Sequence, residues 1–251
     1  MRYLYHLGFL AAALVMSAGV CTSAVSAAIT IDLTTGTGAS GSANGAYFEW
    51  VDVGSTGTGV IDSFLRIQAN REEKGYNTNG TLEFDTKNSH TKALPLSSVP
   101  EVEIDGVVYR EFLVDIQEDT AGTDRFLSLD TVEIYLANSD SLTGYPSLGT
   151  EVFDLDDGAD GDATVVMDSS LNPGNGWGDA FMYVPSSLFT GGTYVYLYSE
   201  FGGTYRSSSG PEEWAVRLGA TPPVIVPAPA ASLLVLAGSG LTVSLRRRRM
   251  L

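Results

Sequence analysis

The sequence predicts an all-β protein, an antiparallel β-sandwich of jelly-roll type. Short runs of β-branched and aromatic residues recur along the chain, separated by clusters of Gly, Asn, Asp, Ser and Pro. Between these runs, no segment of useful length shows the 3.6-residue period of an amphipathic helix. Strands without interleaved helices indicate a sandwich, and long connections such as 138–149 and 201–211 favour a jelly roll. The order of the strands is not readable from the pattern.

About a dozen segments carry the strand pattern. We expect strands at 29–33, 46–53, 59–69, 81–85, 101–105, 107–116, 127–137, 150–155, 163–168, 179–184, 193–200 and 212–218. Asp105-Gly106 suits a two-residue turn with positive φ, which predicts a hairpin. Pro185 should end a strand and allow a short helical turn within 184–189. The Gly/Ser-rich segment 34–45 is expected to be a loop.

The first 28 residues have the three parts of a secretory signal peptide. Arg2 gives a positive start, 7–20 is an uncharged apolar run, and small residues mark cleavage after Ala27 or Ala28. The apolar run is too short for a comfortable membrane span. These features predict export.

Cys21 is the only cysteine and lies inside the predicted signal peptide. Lipid attachment at this cysteine is the less favoured alternative, because the residue before it is not small. Ordinary cleavage leaves a protein without a disulfide, a thiol nucleophile or a cysteine metal ligand.

The predicted body is strongly acidic. All 30 acidic residues lie within 29–220, whereas Arg2 and Arg246–Arg249 account for five of the 14 basic residues. Nine basic against 30 acidic side chains leave the body with a net charge near −21. Such a surface repels nucleic acid and anionic membranes, so we expect no nucleic-acid partner.

One acidic segment is a candidate calcium site, with Asp154, Asp156, Asp160 and Asp162 as the candidate ligands. Asp156 and Asp160 match positions 1 and 5 of a calcium loop. Gly158 and Met167 stand at positions 3 and 12, where oxygen ligands belong, so the segment is not an EF-hand. An irregular calcium site and a solvated acidic turn are the alternatives.

No catalytic motif stands out. The G-x-G-x-x-G pattern at 36–41 lacks the following helix that a dinucleotide site requires. His90 is the only histidine of the body, and no nucleophile-elbow pattern accompanies it. Glu212 and Glu213 are the first carboxylates to test for glycoside hydrolysis, although so many acidic residues make such a pair weak evidence. We expect no enzymatic activity and no cofactor.

Aromatic residues raise the alternative of carbohydrate binding. The tyrosines of 194–198 alternate with Val195 and Leu197, so they line one face of a strand. That face is either packed in the sandwich or an exposed row that stacks on sugars. Trp177, in a Gly-rich loop, is a second candidate carbohydrate contact.

The C-terminal end combines Val226-Pro227-Ala228-Pro229, an uncharged apolar run at 230–245 and the arginines Arg246, Arg247, Arg248 and Arg249. The run is shorter than the ~20 residues of a stable membrane helix. The positive-inside rule keeps the arginines in the cytoplasm, with the body outside. A plain single-pass anchor is one interpretation of this order.

The same order resembles the PEP-CTERM sorting signal of exported bacterial proteins, in which a Pro-Glu-Pro motif precedes a short transmembrane helix and an Arg cluster. Ala228 stands where that family has Glu. The segments 59–68, 106–116, 127–136 and 212–216 are also similar to PEP-CTERM proteins of unassigned function. The resemblance implies an exosortase-type membrane protease as partner. It also implies transient residence in the inner membrane and then a place at the cell surface or in extracellular polysaccharide.

The sequence thus predicts five parts: a signal peptide (1–28), a β-sandwich domain (29–220), a spacer with the sorting motif (221–229), a transmembrane helix (230–245) and an Arg-rich cytoplasmic end (246–251). The expected protein is a non-enzymatic surface or matrix protein. A carbohydrate-binding module of that matrix is the first alternative, and a polysaccharide-active hydrolase is the second.

Overall fold

The computed structural model describes residues 28–52, 61–172, 178–208 and 210–218. In these ranges the chain is all-β with almost no helix, and two largely antiparallel sheets pack face to face as a sandwich. The predicted all-β sandwich is therefore confirmed. Nothing in the described part is a helix long and apolar enough to cross a membrane.

Several predictions fall outside the described residues. They concern the signal peptide as far as Ala27, Trp177, the motif 226–229, the apolar run 230–245 and the arginines 246–249.

The described residues form fourteen strands and two short 3-10 helices. The strands are β1 (Ile29–Asp32), β2 (Ser40–Ala43), β3 (Ala46–Trp50), β4 (Ile61–Ile67), β5 (Glu73–Tyr76), β6 (Leu94–Pro95), β7 (Glu101–Ile104), β8 (Val107–Asp115), β9 (Phe126–Ala137), β10 (Thr150–Asp154), β11 (Ala163–Asp168), β12 (Ala180–Pro185), β13 (Tyr194–Phe201) and β14 (Glu212–Arg217). The helices are Leu96–Ser98 and Ser186–Leu188.

Each sheet contains seven of these strands. Sheet I has the order β1-β11-β9-β13-β5, with β10 also paired to β9 and β6 to β13. Sheet II has the order β2-β3-β12-β8-β14-β4, with β7 also paired to β8. Among the described strands, β1 and β11 form the one parallel pair.

The main core lies between the sheets and follows the alternation of strand residues. Val195 and Leu197 of β13 point into it, while the alternating residues Tyr196 and Tyr198 lie on the outer face of sheet I. Trp214 of β14 is among the largest fully buried side chains, and its indole Nε1 donates to Ser199 Oγ at 3.0 Å. A satisfied indole N–H lets this large ring enter the core without leaving a buried donor unpaired.

Two local predictions are confirmed. Asp105 and Gly106 have φ values of 51° and 81°, and they connect β7 to β8 as a hairpin. The 3-10 helix Ser186–Leu188 follows Pro185, where a short helical turn was expected.

The prediction of a loop over 34–45 is wrong in part, because Ser40–Ala43 forms β2 and pairs with β3. Gly41 permits this arrangement, since a Cβ there would lie 2.9 Å from the side chain of Ile31. Small residues, which suggested a loop, are needed here for close packing of strands.

The predicted strand at 81–85 is also wrong. Phe84 has a φ of 58°, which a strand cannot contain, and the edge strand is instead β5. Gly75 hides this strand in the sequence, yet a Cβ at that position would lie 2.2 Å from Thr86 Oγ1. Thr86 can therefore pack closely against β5 only because residue 75 is a glycine.

Candidate metal centre

Three glutamates from distant parts of the sequence meet between the two sheets. Glu73 is the first residue of β5 in sheet I, Glu212 is the first residue of β14 in sheet II, and Glu118 follows β8. Their exposed fractions are 1%, 0% and 6%, respectively. Carboxylate oxygens of all three lie within 4.8 Å of one another. No other group of three acidic, histidine or cysteine side chains converges in this way within the described ranges.

Strand alternation explains why Glu212 points inward. In β14, Trp214 and Val216 pack in the main core, whereas Ala215 packs in a separate cluster on the opposite face. Glu212 lies on the same face as Trp214, because side chains two residues apart share a face of a strand. The alternation that buries Trp214 therefore also places the Glu212 carboxylate in the interior.

Each of the other two glutamates is fixed through one carboxylate oxygen. Glu73 Oε2 accepts a hydrogen bond from the backbone N–H of Ala69 at 2.5 Å. Glu118 Oε2 accepts from the backbone N–H of Ser208 at 2.5 Å and also from its hydroxyl group. The second oxygens, Glu73 Oε1 and Glu118 Oε1, are buried and receive no hydrogen bond from an N–H or hydroxyl donor in the described chain.

Glu212 has no such donor on either oxygen. None of the ion pairs found in the described part of the protein includes any of the three glutamates. Burial raises the pKa of Glu212 well above its usual value, and the neighbouring Glu73 and Glu118 raise it further. Burial likewise raises the pKa of Glu73. Buried carboxylates of this kind need either protons or a cation.

An acidic cleft of about 250 Å³ has Glu73 among its lining residues, whereas Glu118 and Glu212 do not line it. The other lining residues are Glu72, Lys74, Asp85, Asp130, Glu200, Phe201 and Gly203. Lys74 Nζ pairs with Glu200 Oε1 at 3.3 Å, so one of the acidic side chains is balanced. The remaining carboxylates give the cleft an excess of negative charge.

The predicted calcium loop lies between β10 and β11 and is held against the β2–β3 turn. Asn44 Nδ2 donates to the carbonyl oxygens of Leu155 and Gly161, both at 2.7 Å. The backbone N–H of Asn44 donates to Asp160 Oδ2 at 2.9 Å. Asn44 therefore holds this loop against the β2–β3 turn through hydrogen bonds.

The carboxylates of this loop also accept local hydrogen bonds. Asp154 Oδ1 accepts from the N–H of Asp156 at 2.8 Å, and Asp156 Oδ1 accepts from the N–H of Ala163 at 3.1 Å. Burial raises the pKa of Asp156 to about 6. No three of the candidate calcium ligands in this loop converge on one point: Asp154, Asp156, Asp160 and Asp162. Calcium binding at this loop therefore stays a prediction.

The two carboxylates proposed for glycoside hydrolysis, Glu212 and Glu213, lie on opposite faces of β14. Glu213 points away from Glu212 and pairs with Arg66 Nη1 at 3.2 Å. Its second oxygen accepts from Ser63 Oγ at 3.0 Å. His90, the other catalytic candidate, is exposed in a loop.

The tyrosines of β13 pack on the outer face of sheet I beneath the 138–149 connection. Tyr196 Oη donates to the Ser139 carbonyl at 2.7 Å and accepts from the Leu142 N–H at 2.9 Å. The rings of Tyr198 and Tyr145 stack with centroids 3.9 Å apart. Of the two interpretations of this face, the structure therefore supports the packed one for Tyr196 and Tyr198.

The structure places a different aromatic ring at the surface. Phe84 is 49% exposed, and its ring meets those of Tyr76, Tyr145 and Tyr198 edge-on at 5.9–6.3 Å. Lys74 Nζ lies 5.6 Å from the centre of the ring. This position of Phe84 could not be predicted from the sequence, because the residue occurs in a β-rich run that predicts a strand.

No protein-family model matches the chain, and neither a curated protein nor a solved structure matches it. The residues described above are therefore the basis for inferring function.

Proposed function

We propose that the chain is a non-enzymatic exported protein that acts at the cell surface or in an extracellular polysaccharide matrix. The observation that carries this proposal is the position of the folded body. Every described strand lies between Ile29 and Arg217, and thus between the segment with a signal-peptide pattern and the segment with a PEP-CTERM-like pattern. The acidic charge of the body suits a soluble protein outside the cell.

The strand order supports a jelly-roll-like arrangement. Eight strands run β11-β9-β13-β5 in sheet I and β12-β8-β14-β4 in sheet II. Taken along the chain, these strands cross between the sheets at every step except from β9 to β11. That alternation is typical of jelly rolls, a class that includes lectin domains, and the analogy is one of fold alone.

The proposal of a non-enzymatic protein is supported by the arrangement of Glu212 and Glu213. A glycosidase needs two carboxyl groups that face one another across a substrate. One of these side chains is enclosed between the sheets and the other forms an ion pair on the opposite face. This pair therefore does not have the geometry of a hydrolase.

Sorting is tested by the mass of the mature C-terminus from surface and membrane fractions. Processing by an exosortase-type protease predicts a chain that ends near Pro227. A control that lacks 226–251 should be exported without transient retention in the inner membrane. A mature protein that keeps Arg246–Arg249 would instead be a single-pass anchored protein, and the sorting proposal would be wrong.

Carbohydrate binding is a second candidate function, and the exposed ring of Phe84 favours it. An aromatic face next to polar side chains is suited to stacking on a sugar ring. The backbone of Phe84 has a φ of 58°, a conformation that is costly for a bulky residue. Three neighbouring tyrosines hold the ring at the surface near Lys74 and Glu200, which supply polar contacts.

This candidate is tested with a glycan array and with polysaccharide from the producing cells. Phe84→Ala should weaken binding about tenfold, the effect of losing ~1.4 kcal/mol of stacking. Tyr205→Ala, which removes another exposed aromatic ring, is the matched control. Equal binding by Phe84→Ala and the unaltered chain, or an equal loss in the Tyr205 variant, would contradict a binding site at Phe84.

A further inference from the structure

We propose that Glu73, Glu118 and Glu212 bind one calcium ion that joins the two sheets. This site goes beyond the proposed function, because it concerns how the exported body is held together.

The strongest indication of a ligand is Glu212 itself. This side chain is fully enclosed, it is directed at two other carboxylates, and neither of its oxygens receives an N–H or hydroxyl hydrogen bond. Buried polar atoms in proteins nearly always have a partner. Together with Glu73 Oε1 and Glu118 Oε1, the cluster contains four buried oxygens that receive no N–H or hydroxyl hydrogen bond and face other carboxyl groups instead.

The spacing of the three carboxylates fits a single cation. Calcium binds oxygen at 2.3–2.6 Å, so two ligands on opposite sides of the ion are ~5 Å apart. Carboxylate oxygens of Glu73, Glu118 and Glu212 lie within 4.8 Å of one another, inside that limit. Because Glu212 offers both oxygens, it is suited to bidentate binding.

The ligand chemistry selects calcium among the common divalent ions. The converging group contains carboxylates alone, without the imidazole or thiolate that zinc prefers. Magnesium requires strict octahedral geometry and retains several waters, which an enclosed site accommodates poorly. Calcium accepts irregular sets of oxygen ligands and exchanges its waters more readily.

The surface near the site is rich in carboxylates. Glu73, which belongs to the cluster, also lines an acidic cleft. Glu72, Asp85 and Asp130 around the cleft raise the local concentration of cations. If the body is exported as proposed, the ion is supplied from outside the cell, where modules bind calcium with Kd values of ~10⁻⁴–10⁻³ M.

Binding would connect three segments that are far apart in the sequence. Glu73 belongs to the edge strand of sheet I and Glu212 to an inner strand of sheet II. Glu118 belongs to the segment after β8. Because Glu118 accepts a hydrogen bond from Ser208, the ion would also be linked to the connection that leads into β14. The ion would therefore close the sandwich at the side where β5 and β14 begin.

The experiment is a thermal melt of the purified full chain with calcium, with magnesium and with a chelator. Calcium at about 100 times Kd should raise the melting temperature by roughly 5–10 °C, from the linkage between binding and folding. Magnesium at the same concentration should have a smaller effect. Calorimetric titration should give one calcium per chain.

Glu212→Gln should abolish the calcium-dependent rise and weaken calcium binding at least tenfold. Glu213→Gln is the matched control: it alters the adjacent carboxylate on the opposite face and should leave the rise unchanged. Glu118→Gln provides a second test at the site if Glu212→Gln does not fold. Asp156→Asn tests the loop after β10 and should also retain the rise.

An equal melt of the unaltered chain in calcium and chelator would overturn the proposal, because the three carboxylates would then be held by protons alone. Loss of the rise in Asp156→Asn, with retention in Glu212→Gln, would place the ion in the acidic loop and equally overturn it. Neither result bears on export or polysaccharide contact, which are tested separately.

Discussion

Breaking the buried ion pair between Arg217 and Glu111 should lower the stability of the protein by an amount that depends on pH. Arg217 Nε donates to Glu111 Oε1 at 2.5 Å, and Nη2 donates to Oε2, so the contact is bidentate. Glu111 is only 1% exposed. The guanidinium also lies 4.7 Å from the ring centre of Phe181. Arg217→Met keeps much of the apolar stem but leaves the Glu111 carboxylate buried without its cation.

Loss of one partner of a buried pair costs about 3–5 kcal/mol. For a domain of this size, that corresponds to a fall of roughly 6–20 °C in melting temperature. Burial already raises the pKa of Glu111, and Arg217 opposes that rise. Removing the arginine raises the pKa further. The cost is therefore complete at pH values above this pKa and shrinks as the pH falls and Glu111 takes up a proton.

Urea unfolding followed by tryptophan fluorescence, to which buried Trp214 contributes, measures this effect at pH 7 and pH 5. Lys92→Met, in the more exposed pair with Asp62, is the control and should cost under ~1 kcal/mol. The double variant Glu111→Gln/Arg217→Met should recover much of the lost stability. The reasoning is refuted if Arg217→Met costs no more than the control, or if its cost grows as the pH falls.

Two further variants test other buried polar groups. Asp179 is enclosed beside Asp115, and burial followed by repulsion from that neighbour raises its pKa well above the usual value. Asp179→Asn keeps an acceptor for the Ile116 N–H, now 2.7 Å from Oδ2, and should stabilise the protein by roughly 1–3 kcal/mol at neutral pH but not near pH 4. A gain that is equal at both pH values in chemical unfolding would show that charge is not the cause. Asn44→Gly retains a residue able to adopt the observed φ of 48° but removes three side-chain hydrogen bonds to the loop at 154–162, for a loss of ~1.5–4 kcal/mol. Hydrogen exchange of the Asp160 amide should accelerate in this variant, and unaltered exchange would contradict the assigned role of Asn44.

Strand alternation made much of the fold predictable. The hairpin at Asp105-Gly106 and the two faces of β13 follow from local pattern and turn chemistry, because each is decided within a few residues. The strand β5 was missed because Gly75 and two charged residues hide it, and its position depends on pairing with β13, more than 100 residues away. Local propensity carries no information about such a partner.

The glutamate cluster was unpredictable for a related reason. Glu73, Glu118 and Glu212 are separated by long stretches of a chain that contains 30 acidic residues, so no spacing distinguishes them. The fold brings them together by placing the first residues of β5 and β14 opposite each other. One signal was present in the sequence: alternation with Trp214 predicts that Glu212 points inward. A carboxylate on the same strand face as a core tryptophan is buried, and a buried carboxylate needs a partner for its charge.

The position of β14 also determines how the body would carry mechanical load. The tail begins just after this strand, which is hydrogen-bonded on one side to β4 and on the other to β8. Antiparallel hydrogen bonds lie across the strand direction, so a pull along the tail would strain both rows in shear at the same time. A tail attached to an edge strand would load a single row. Load applied to the chain after Arg217 would thus be shared between two rows of hydrogen bonds.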